Sequence, residues 1–500
     1  MGQEFTIAAE QFAALRREFV FKIDGDRPIL YPLDYINTHI HILQPIQGFV
    51  LSLLDGRTRF SDLDRMFRAL FPESPLPLLD LLASVDTLVR NKVSMAGIGR
   101  DGLIEVSDAP IPHAPRFDSR HFVVGGDDFR TVMGDVKQRF RLRAPINVYT
   151  VTTHRCHTDC LYCYADRKKL PEMALSRWQE ILAEMAGLGV RLCSPDNGDT
   201  FARKDGVDII ESMLRNDMHF LLSTKIFLSK PTIGRLMEAG LGEKVNGVID
   251  RPVQLSIDSV DEALGMRLLN VTKPRHQKNV ETFNNFMSFG IMPIVKCVVT
   301  GLNANQPLPI VEQFYALGGR RFSFVRYTRS LHRHTDDLFL GPQHAETLTR
   351  QFAEIRERFP DIVLNENVSL SAGGPIVLTA ELKQRLWDGR IGCGGGWHSL
   401  GIGPDGKAFL CEQMAYEEPY FVGDASRQTI AEIWNSDAMM AFIHPSRDQF
   451  AGTTCETCPG FESCMWEKGR CYRDAYYSYG TIFTAPPLCP NNERPGVRLG

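Results

Sequence analysis

Three features of the sequence predict an α/β protein built from several units. Between residues 146 and 325, six short apolar runs (146–152, 190–194, 218–223, 252–258, 292–299 and 321–325) alternate with stretches of helical periodicity. Apolar strands separated by helices imply parallel βα units, because the helices cover both faces of such a sheet. Ahead of them, residues 1 to about 108 read as strands followed by three helices, the pattern of a small winged-helix-like domain. From about Gly373 onward glycine and cysteine become frequent, and a third unit is expected over 373–500. A chain of 500 residues is also too long for one ordinary core.

The elements follow in order. Phe19–Ile23 and Pro28–Leu33, separated by Asp24-Gly25-Asp26, read as a hairpin. Phe49 to Leu54 is a short apolar helix closed by Asp55-Gly56. Ser61 is placed to cap the next helix, whose apolar positions Leu63, Met66, Phe67 and Leu70 recur at i, i+3, i+4 and i+7. After the Pro72 to Pro77 turn, Leu78, Leu81, Leu82, Val85, Leu88 and Val89 form the inward stripe of a third helix. Asp108 to Pro115 is a proline-rich, stiff linker, and residues 109–145 lead into the α/β region, 146–372. Within that region Ser176-Arg177-Trp178-Gln179 reads as a capping box for a helix with Trp178, Ile181, Leu182 and Met185 inward.

Composition narrows the function. Hydrophobic content of 43%, 23% charged residues and a formal charge of −4 give no argument for nucleic acid or an anionic membrane as a partner. No apolar run approaches the length of a membrane span. The first residues carry Glu4, Glu10, Arg16 and Arg17 without an apolar stretch, so a cytoplasmic location is expected. Twelve cysteines are many for such a protein, and ten of them fall into two groups with ligand-like spacing. Cys193 and Cys297 stand alone in apolar, strand-like runs and are expected as buried thiols.

The first group is Cys156-His157-Thr158-Asp159-Cys160-Leu161-Tyr162-Cys163, directly after the apolar run at 146–152. Cys156, Cys160 and Cys163, spaced C-x3-C-x2-C, can hold three irons of a [4Fe–4S] cluster and leave the fourth without a protein ligand. Zinc is the alternative, but it favours paired C-x2–4-C units and a fourth ligand. The spacing matches the signature of the radical S-adenosylmethionine (SAM) enzymes, and the chain resembles that superfamily. The resemblance implies a partial (β/α)6 barrel with its chemistry at the carboxyl ends of the strands. It implies SAM chelating the open iron through its amino and carboxylate groups, and reductive cleavage to a 5′-deoxyadenosyl radical.

It also implies a SAM pocket. Tyr162 would pack near the adenine. Asn197, Gly198 and Asp199, after the second strand, would meet the SAM ammonium, although only the glycine and a shortened acid match the family segment. Lys225 stands where the family often has glycine in Thr-Asn-Gly. Ser256 and Asp258 would bond the ribose hydroxyls, and Arg267 would grip the methionyl carboxylate. Asn303, with Val325 or Tyr327, would meet the adenosine.

The second group reads C393-x12-G406-x4-C411, C455-x2-C458-x5-C464-x6-C471 and C489. It resembles the SPASM extension of the same superfamily, apart from a lengthened interval between Cys464 and Cys471. The resemblance assigns Cys455, Cys458, Cys464 and Cys489 to one closed auxiliary [4Fe–4S] cluster. Cys393, Cys411 and Cys471 would hold a second, with an open site or a non-thiolate ligand. Zinc is again the alternative on spacing alone. Ile402 to Gly406 reads as a hairpin turn, and Glu412 occupies the place of an acidic base in sulfatase-maturating relatives.

The run from His41 to Thr58 resembles the precursor-peptide recognition domains related to the pyrroloquinoline quinone peptide chaperone, which capture a leader peptide as an added strand. Together these resemblances imply a maturase of ribosomal precursor peptides, with the leader bound by residues of 1–108. An external electron donor such as flavodoxin or ferredoxin is implied. The expected reaction is oxidative side-chain cross-linking, through a C–C cyclophane, thioether or ether bond. The rivals are a sulfatase-type formylglycine maturase, a peptide epimerase with Cys297 or Cys193 as hydrogen-atom donor, and a non-catalytic iron–sulfur electron carrier.

Overall fold

A computed structural model describes residues 5–25, 27–33, 40–90, 92, 99–122, 141–195, 197–245, 248–249, 251–368, 379–390 and 392–497. The chain forms two compact units, Met1–Val136 with Lys244–Asp250, and Lys137–Glu243 with Arg251–Gly500.

In the first unit, β1 (Phe12–Leu15) precedes the predicted hairpin of β2 (Phe19–Asp24) and β3 (Arg27–Pro32), which pair antiparallel from Phe19↔Pro32 to Asp24↔Arg27. Asp26, in the predicted turn, lies outside the described residues. β4 (His41–Ile42) adds a third strand to the hairpin. Then follow α1 (Pro45–Ser52), β5 (Asp55–Arg59), α2 (Phe60–Leu70), α3 (Leu78–Arg90) and β6 (Ile104–Ser107). β1 lies between β5 and β6 in a second antiparallel sheet. β5 has the sequence DGRTR and no apolar alternation; its pairing with β1, which periodicity cannot register, makes it a strand.

The helices correct three expectations. α1 starts at Pro45, four residues before Phe49, because proline suits the first helical position. Ser61 caps nothing: α2 already begins at Phe60, with Arg59 at its N-cap. Met66, Leu70 and Leu88 are exposed, while Leu63, Phe67, Leu82 and Val85 are buried, so the packed stripes of α2 and α3 are narrower than the apolar pattern.

Asp86 on α3 is buried and accepts hydrogen bonds from Leu103 N (2.6 Å) and Ile104 N (3.3 Å), and it also pairs with Arg90. It pins β6 to the helix. Asp86→Asn keeps an acceptor but loses the charge, and is expected to destabilise this unit by about 1 kcal/mol. A lowered urea midpoint at an unchanged slope would register the loss.

The second unit is built on the predicted βα alternation. β7 (Asn147–Thr150), α4 (Leu175–Gly187), β8 (Leu192–Ser194), α5 (Gly206–Arg215), β9 (Leu222–Thr224) and α6 (Lys230–Glu238) come first. The short hairpin of β10 (Lys244–Val245) and β11 (Val248–Ile249) counts with the first unit. β12 (Val253–Ser256), α7 (Glu262–Leu269), α8 (His276–Ser288), β13 (Ile294–Val299), α9 (Pro307–Ala316) and β14 (Arg321–Arg326) complete the six predicted strands. These six are parallel and run in the order β7-β8-β9-β12-β13-β14, with the bridge Leu192↔His219 joining β8 to the lead-in of β9. This is the partial (β/α)6 barrel.

Trp178, Ile181, Leu182 and Met185 of α4 are fully buried in its outer core, as their spacing predicts. The predicted capping box at Ser176 is absent, because the bond from Met173 N to Pro404 O holds the entry extended and the helix begins after Ala174.

Both ends of the arc are extended. After α10 (Pro342–Arg358), β15 (Val363–Asn367) pairs in parallel with β14. Past α11 (Ala380–Asp388), β16 (Ser399–Ile402) pairs in parallel with β7, from Ser399↔Asn147 to Ile402↔Thr150. β17 (Lys407–Phe409) and β18 (Gly423–Asp424) continue antiparallel, and Gly406 at φ +93° makes the predicted turn between β16 and β17. The cysteine-rich segment is thus hydrogen-bonded to the first barrel strand and belongs to the same compact unit. Its expected start at Gly373 lies outside the described residues. Four helices follow: α12 (Ile430–Trp434), α13 (Asp437–Ile443), α14 (Phe461–Glu467) and α15 (Tyr472–Tyr479). Among the described residues no helix is long and apolar enough to cross a membrane.

Candidate active site

Because the six strands are parallel, every loop that follows one emerges at the same end of the sheet, where such folds place their chemistry. The loop between β7 and α4 carries Cys156, Cys160 and Cys163. It has little regular structure, and distant groups satisfy its backbone. Asp159 N and Leu161 N donate to Leu269 O and Leu268 O at the end of α7, both at 2.9 Å. Ser330 Oγ donates to Cys163 O (2.8 Å), Arg275 to His157 O (3.0 Å) and Arg333 to Asp159 O (3.0 Å). Asn270, left-handed at φ +49°, closes α7 and donates to Asp159 Oδ2 at 3.1 Å.

The three sulfurs face one guanidinium. Arg167 Nη2 lies 3.2 Å from Cys163 Sγ. Burial lowers the Arg167 pKa, but the nearby Cys163, Cys156 and Cys160 thiolates outweigh it and raise the value overall. Burial pushes the Cys156 thiol up to about 11, against the pull of Arg167, and pushes Cys160 up as well. Thiols shifted this way ionise when a cation meets them. Among the described residues no three His, Cys, Asp or Glu side chains are arranged to hold a single metal ion. Zinc would need its thiolates about 2.3 Å from one centre. A cubane spreads its cysteines around a larger body, and three thiols gathered beside Arg167 suit the thiolate donor set it takes. A cavity of about 700 Å³, lined by Cys156, Arg167, Lys168, Glu172 and Asn270 among others, opens on this loop.

The other predicted cofactor residues sit around the loop in differing states. The turn at Asn197 (φ +83°) is seated on the cysteine loop: Asp199 N donates to Arg155 O at 3.0 Å, and a Cβ on Gly198 would stand 2.0 Å from Thr153 O. The Asn197 Oδ1 is buried without a hydrogen-bond partner, which suits it to accept from an ammonium. Asp199 is more occupied than expected. Its buried carboxylate accepts from Thr224 Oγ1 (2.7 Å), Lys225 N (3.1 Å) and Phe201 N (3.2 Å), which makes it a brace between the ends of β8 and β9. Burial raises its pKa in spite of these donors.

Asp258 is likewise engaged. Tyr162 OH donates to its Oδ2, as does Lys225 Nζ at 3.0 Å, and Val298 N donates to Oδ1 at 3.1 Å. Tyr162 therefore reaches the end of β12 rather than standing free, and burial, with Asp258 next, raises its pKa well above the usual tyrosine value. Ser256 and Asp258 border a hollow of only about 20 Å³ with Met266, Leu269 and Arg275.

Three further predicted residues have partners within the chain. Arg267 is 62% exposed and lies 3.9 Å from Asp337, because the phase of α7 turns Gly265, Met266 and Leu269 to the hollow instead. Asn303 is fully buried, accepts from Thr300 N (2.7 Å), and donates to Asp258 O (2.8 Å) and Val298 O (3.0 Å), so it ties together the ends of β12 and β13. Tyr327 is buried beneath the cysteine loop with Cys160, Tyr162 and Leu338, its hydroxyl 3.0 Å from His334 Nδ1. Cys193 and Cys297, considered as hydrogen-atom donors, are both 0% exposed in the outer core, which leaves neither sulfur open to a substrate.

The second cysteine group also gathers into sets. Besides burial, the Cys411 thiol is pushed up by Cys393 and Cys471. Burial pushes Cys471 up to about 12, with Cys393 again nearby. Burial pushes Cys455 up to about 11, where Cys489, Cys464 and Cys458 add to it. The chain thus brings together Cys393 with Cys411 and Cys471, and separately Cys455 with Cys458, Cys464 and Cys489. Glu412 is half-buried in the turn beside Cys411. Arg447 clamps the second set by donating to Glu456 O (3.1 Å) and Cys458 O (3.0 Å), and Arg390 Nη2 lies 3.8 Å from Cys464 Sγ. Arg167, Ser330, Arg333 and Arg447 carried no sequence signal. Only Arg167, four positions after Cys163, stood near enough to the motif to be suspected.

Comparison with known proteins agrees with this geometry. The SPASM family, described as an iron–sulfur cluster-binding domain, matches residues 393–459. The "PqqA peptide cyclase" of Bradyrhizobium diazoefficiens is 25% identical over 356 residues, covering 69% of this chain and 86% of the relative. That of Gluconobacter oxydans is 23% identical over 353 residues, covering 69% and 90%. Among solved structures, Streptococcus suis SuiB bound to S-adenosylmethionine matches with a TM-score of 0.59 at 15% identity, covering 96% of this chain and 100% of that one. SuiB bound to its precursor peptide SuiA matches with a TM-score of 0.61, also at 15% identity and the same coverage. With a partial (β/α)6 barrel, a C-x3-C-x2-C loop after its first strand and a SPASM segment over 393–459, this chain is an enzyme similar to the peptide cyclases and shares the fold of SuiB.

Proposed function

We propose that the enzyme cross-links side chains of a ribosomally made precursor peptide, with net loss of two hydrogen atoms. The observation that carries this is that Cys156, Cys160 and Cys163 share one guanidinium, Arg167, on a loop at the carboxyl end of a parallel barrel, with two further cysteine sets in the same compact unit. A [4Fe–4S] cluster and SAM bound there would supply hydrogen-abstracting radical chemistry.

The chain's own residues do the rest. Cys156, Cys160 and Cys163 would hold that cluster, and Arg167 balances their charge. The orphan Asn197 Oδ1 would accept from the SAM ammonium, and Gly198 keeps the turn against the cysteine loop. Ser256 and Asp258 would bond the ribose hydroxyls, and Lys225 and Tyr162 hold the Asp258 carboxylate in place. Cys393, Cys411 and Cys471, and Cys455, Cys458, Cys464 and Cys489, would hold two auxiliary clusters. Glu412, beside Cys411, is placed to take the proton released on oxidation.

The peptide substrate is supported by the names of the matched relatives, peptide cyclases and a protein solved with its precursor peptide. In this reading residues 1–108 bind the leader, 109–145 link, 146–372 carry the radical chemistry and 373–500 the auxiliary clusters. The chain works in the cytoplasm with an external flavodoxin- or ferredoxin-type donor.

Coexpression with a short peptide encoded beside this gene is expected to yield a product lighter by two hydrogens, seen by mass spectrometry. An unchanged mass with inverted stereochemistry would replace cross-linking by epimerisation. Formylglycine in the product would favour the sulfatase-type alternative. Absence of 5′-deoxyadenosine from reconstituted protein would leave an electron carrier.

A further inference from the structure

Arg470 is 4% exposed, and among the described residues it forms no ion pair with a carboxylate. Its Nε donates to Ile482 O (3.0 Å), and its Nη1 lies 3.1 Å from Met465 Sδ, a weak acceptor. Nη2 is buried with no hydrogen-bond partner. The guanidinium stands 4.5 Å from the ring of Phe450 and 5.3 Å from that of Tyr472. Phe450 packs with Met465 and with Cys455, Cys458 and Cys464. Tyr472 belongs to the core against which Cys393 and Cys411 pack, and it follows Cys471 directly. Arg470 therefore sits between the two auxiliary cysteine sets, close enough to feel Cys455, Cys464 and Cys393. A buried cation without a counter-charge is costly, so the position makes sense only if anions lie on both sides.

We propose that Arg470 is a positioning charge shared by both auxiliary clusters, raising their reduction potentials so that they accept the electron released on substrate oxidation. The inference rests on the assignment of these seven cysteines as cluster ligands. The balance is simple. One hydrogen atom leaves the peptide for the 5′-deoxyadenosyl radical, and formation of the new bond releases one proton and one electron. The proton passes to a base, and the electron reduces an auxiliary cluster by one unit before leaving to an external acceptor. Each added electron makes a thiolate-bound cluster more anionic, and a fixed cation in a low-dielectric site stabilises that state.

The test is anaerobic redox titration followed by electron paramagnetic resonance, on the full chain with all clusters loaded. Arg470→Met and Arg470→Gln remove the charge at similar volume, and Arg470→Lys retains it. In both neutral variants the equilibrium for reducing at least one auxiliary cluster is expected to fall tenfold or more, a shift of about 59 mV to lower potential. The SAM-binding cluster should be unmoved, and Arg470→Lys should recover most of the shift. Neutral variants that fail to hold auxiliary iron, beside a lysine variant that holds it, would support the same role. Unchanged potentials in the neutral variants overturn the proposal, as does loss of auxiliary iron in all three. Wild-type protein without auxiliary iron would instead sink the ligand assignment beneath it.

Discussion

Protein in which Cys156, Cys160 and Cys163 are all alanine is expected to make no 5′-deoxyadenosine and to leave a coexpressed peptide unmodified. Its iron should fall from about 12 to about 8 atoms per chain, because only one of three cubanes loses its ligands. The selectivity follows from the geometry. The triplet lies on the loop after β7 and is held by α7, Ser330 and Arg333, whereas the seven auxiliary cysteines lie around α14 and α15 and in the segments before β16 and after β17. Cys156 and Cys163 are only partly buried, and Cys160, packed with Tyr162 and Tyr327, loses a single sulfur, so thermal stability of the auxiliary-loaded protein should fall only slightly. Turnover that survived in this variant would end the radical mechanism. Loss of all iron would mean that the sets assemble as one.

Gly198→Ala is expected to weaken SAM binding by roughly 10- to 100-fold, from about 1–3 kcal/mol of overpacking. A Cβ at this position would stand 2.0 Å from Thr153 O and 3.0 Å from Arg155 O, both backbone atoms of the cysteine loop. Neither can move aside as a side chain would. The turn must lift, carrying the Asn197 carbonyl and the Asp199 brace away from the ends of the strands. Calorimetric titration with SAM would measure the loss, and retained iron at the triplet would show that the loop itself remains folded. Full affinity in Gly198→Ala would remove the 197–199 turn from the proposed cofactor site.

These two sites differ in how far the sequence exposes them. The cysteine triplet is a local pattern, with its three ligands within eight residues, and its chemistry is readable from spacing alone. Gly198 is found only as a weak remnant of a family segment, and its packing role appears once Thr153 O is seen behind it. Arg267 marks the opposite case. An arginine in the helix after the fourth strand invites a carboxylate partner, yet the phase of α7 turns it to solvent beside Asp337. Lys225 read as a departure from the family, whereas the fold makes it the partner of Asp258 and ties Tyr162 to the same carboxylate.

Periodicity of 2 and 3.6 residues and short-range cysteine spacing were enough to mark the six parallel strands, the helices between them and the candidate ligands, because those properties depend on near neighbours along the chain. The fold alone decided that β16 would join β7, that Asp199, Asp258 and Asn303 would brace strand ends, and that Arg470 would stand between cysteines far apart in sequence. Such outcomes depend on register and on loops packing against one another across the sheet. A charge or carboxylate acquires its role from what is brought against it, and no linear pattern records that.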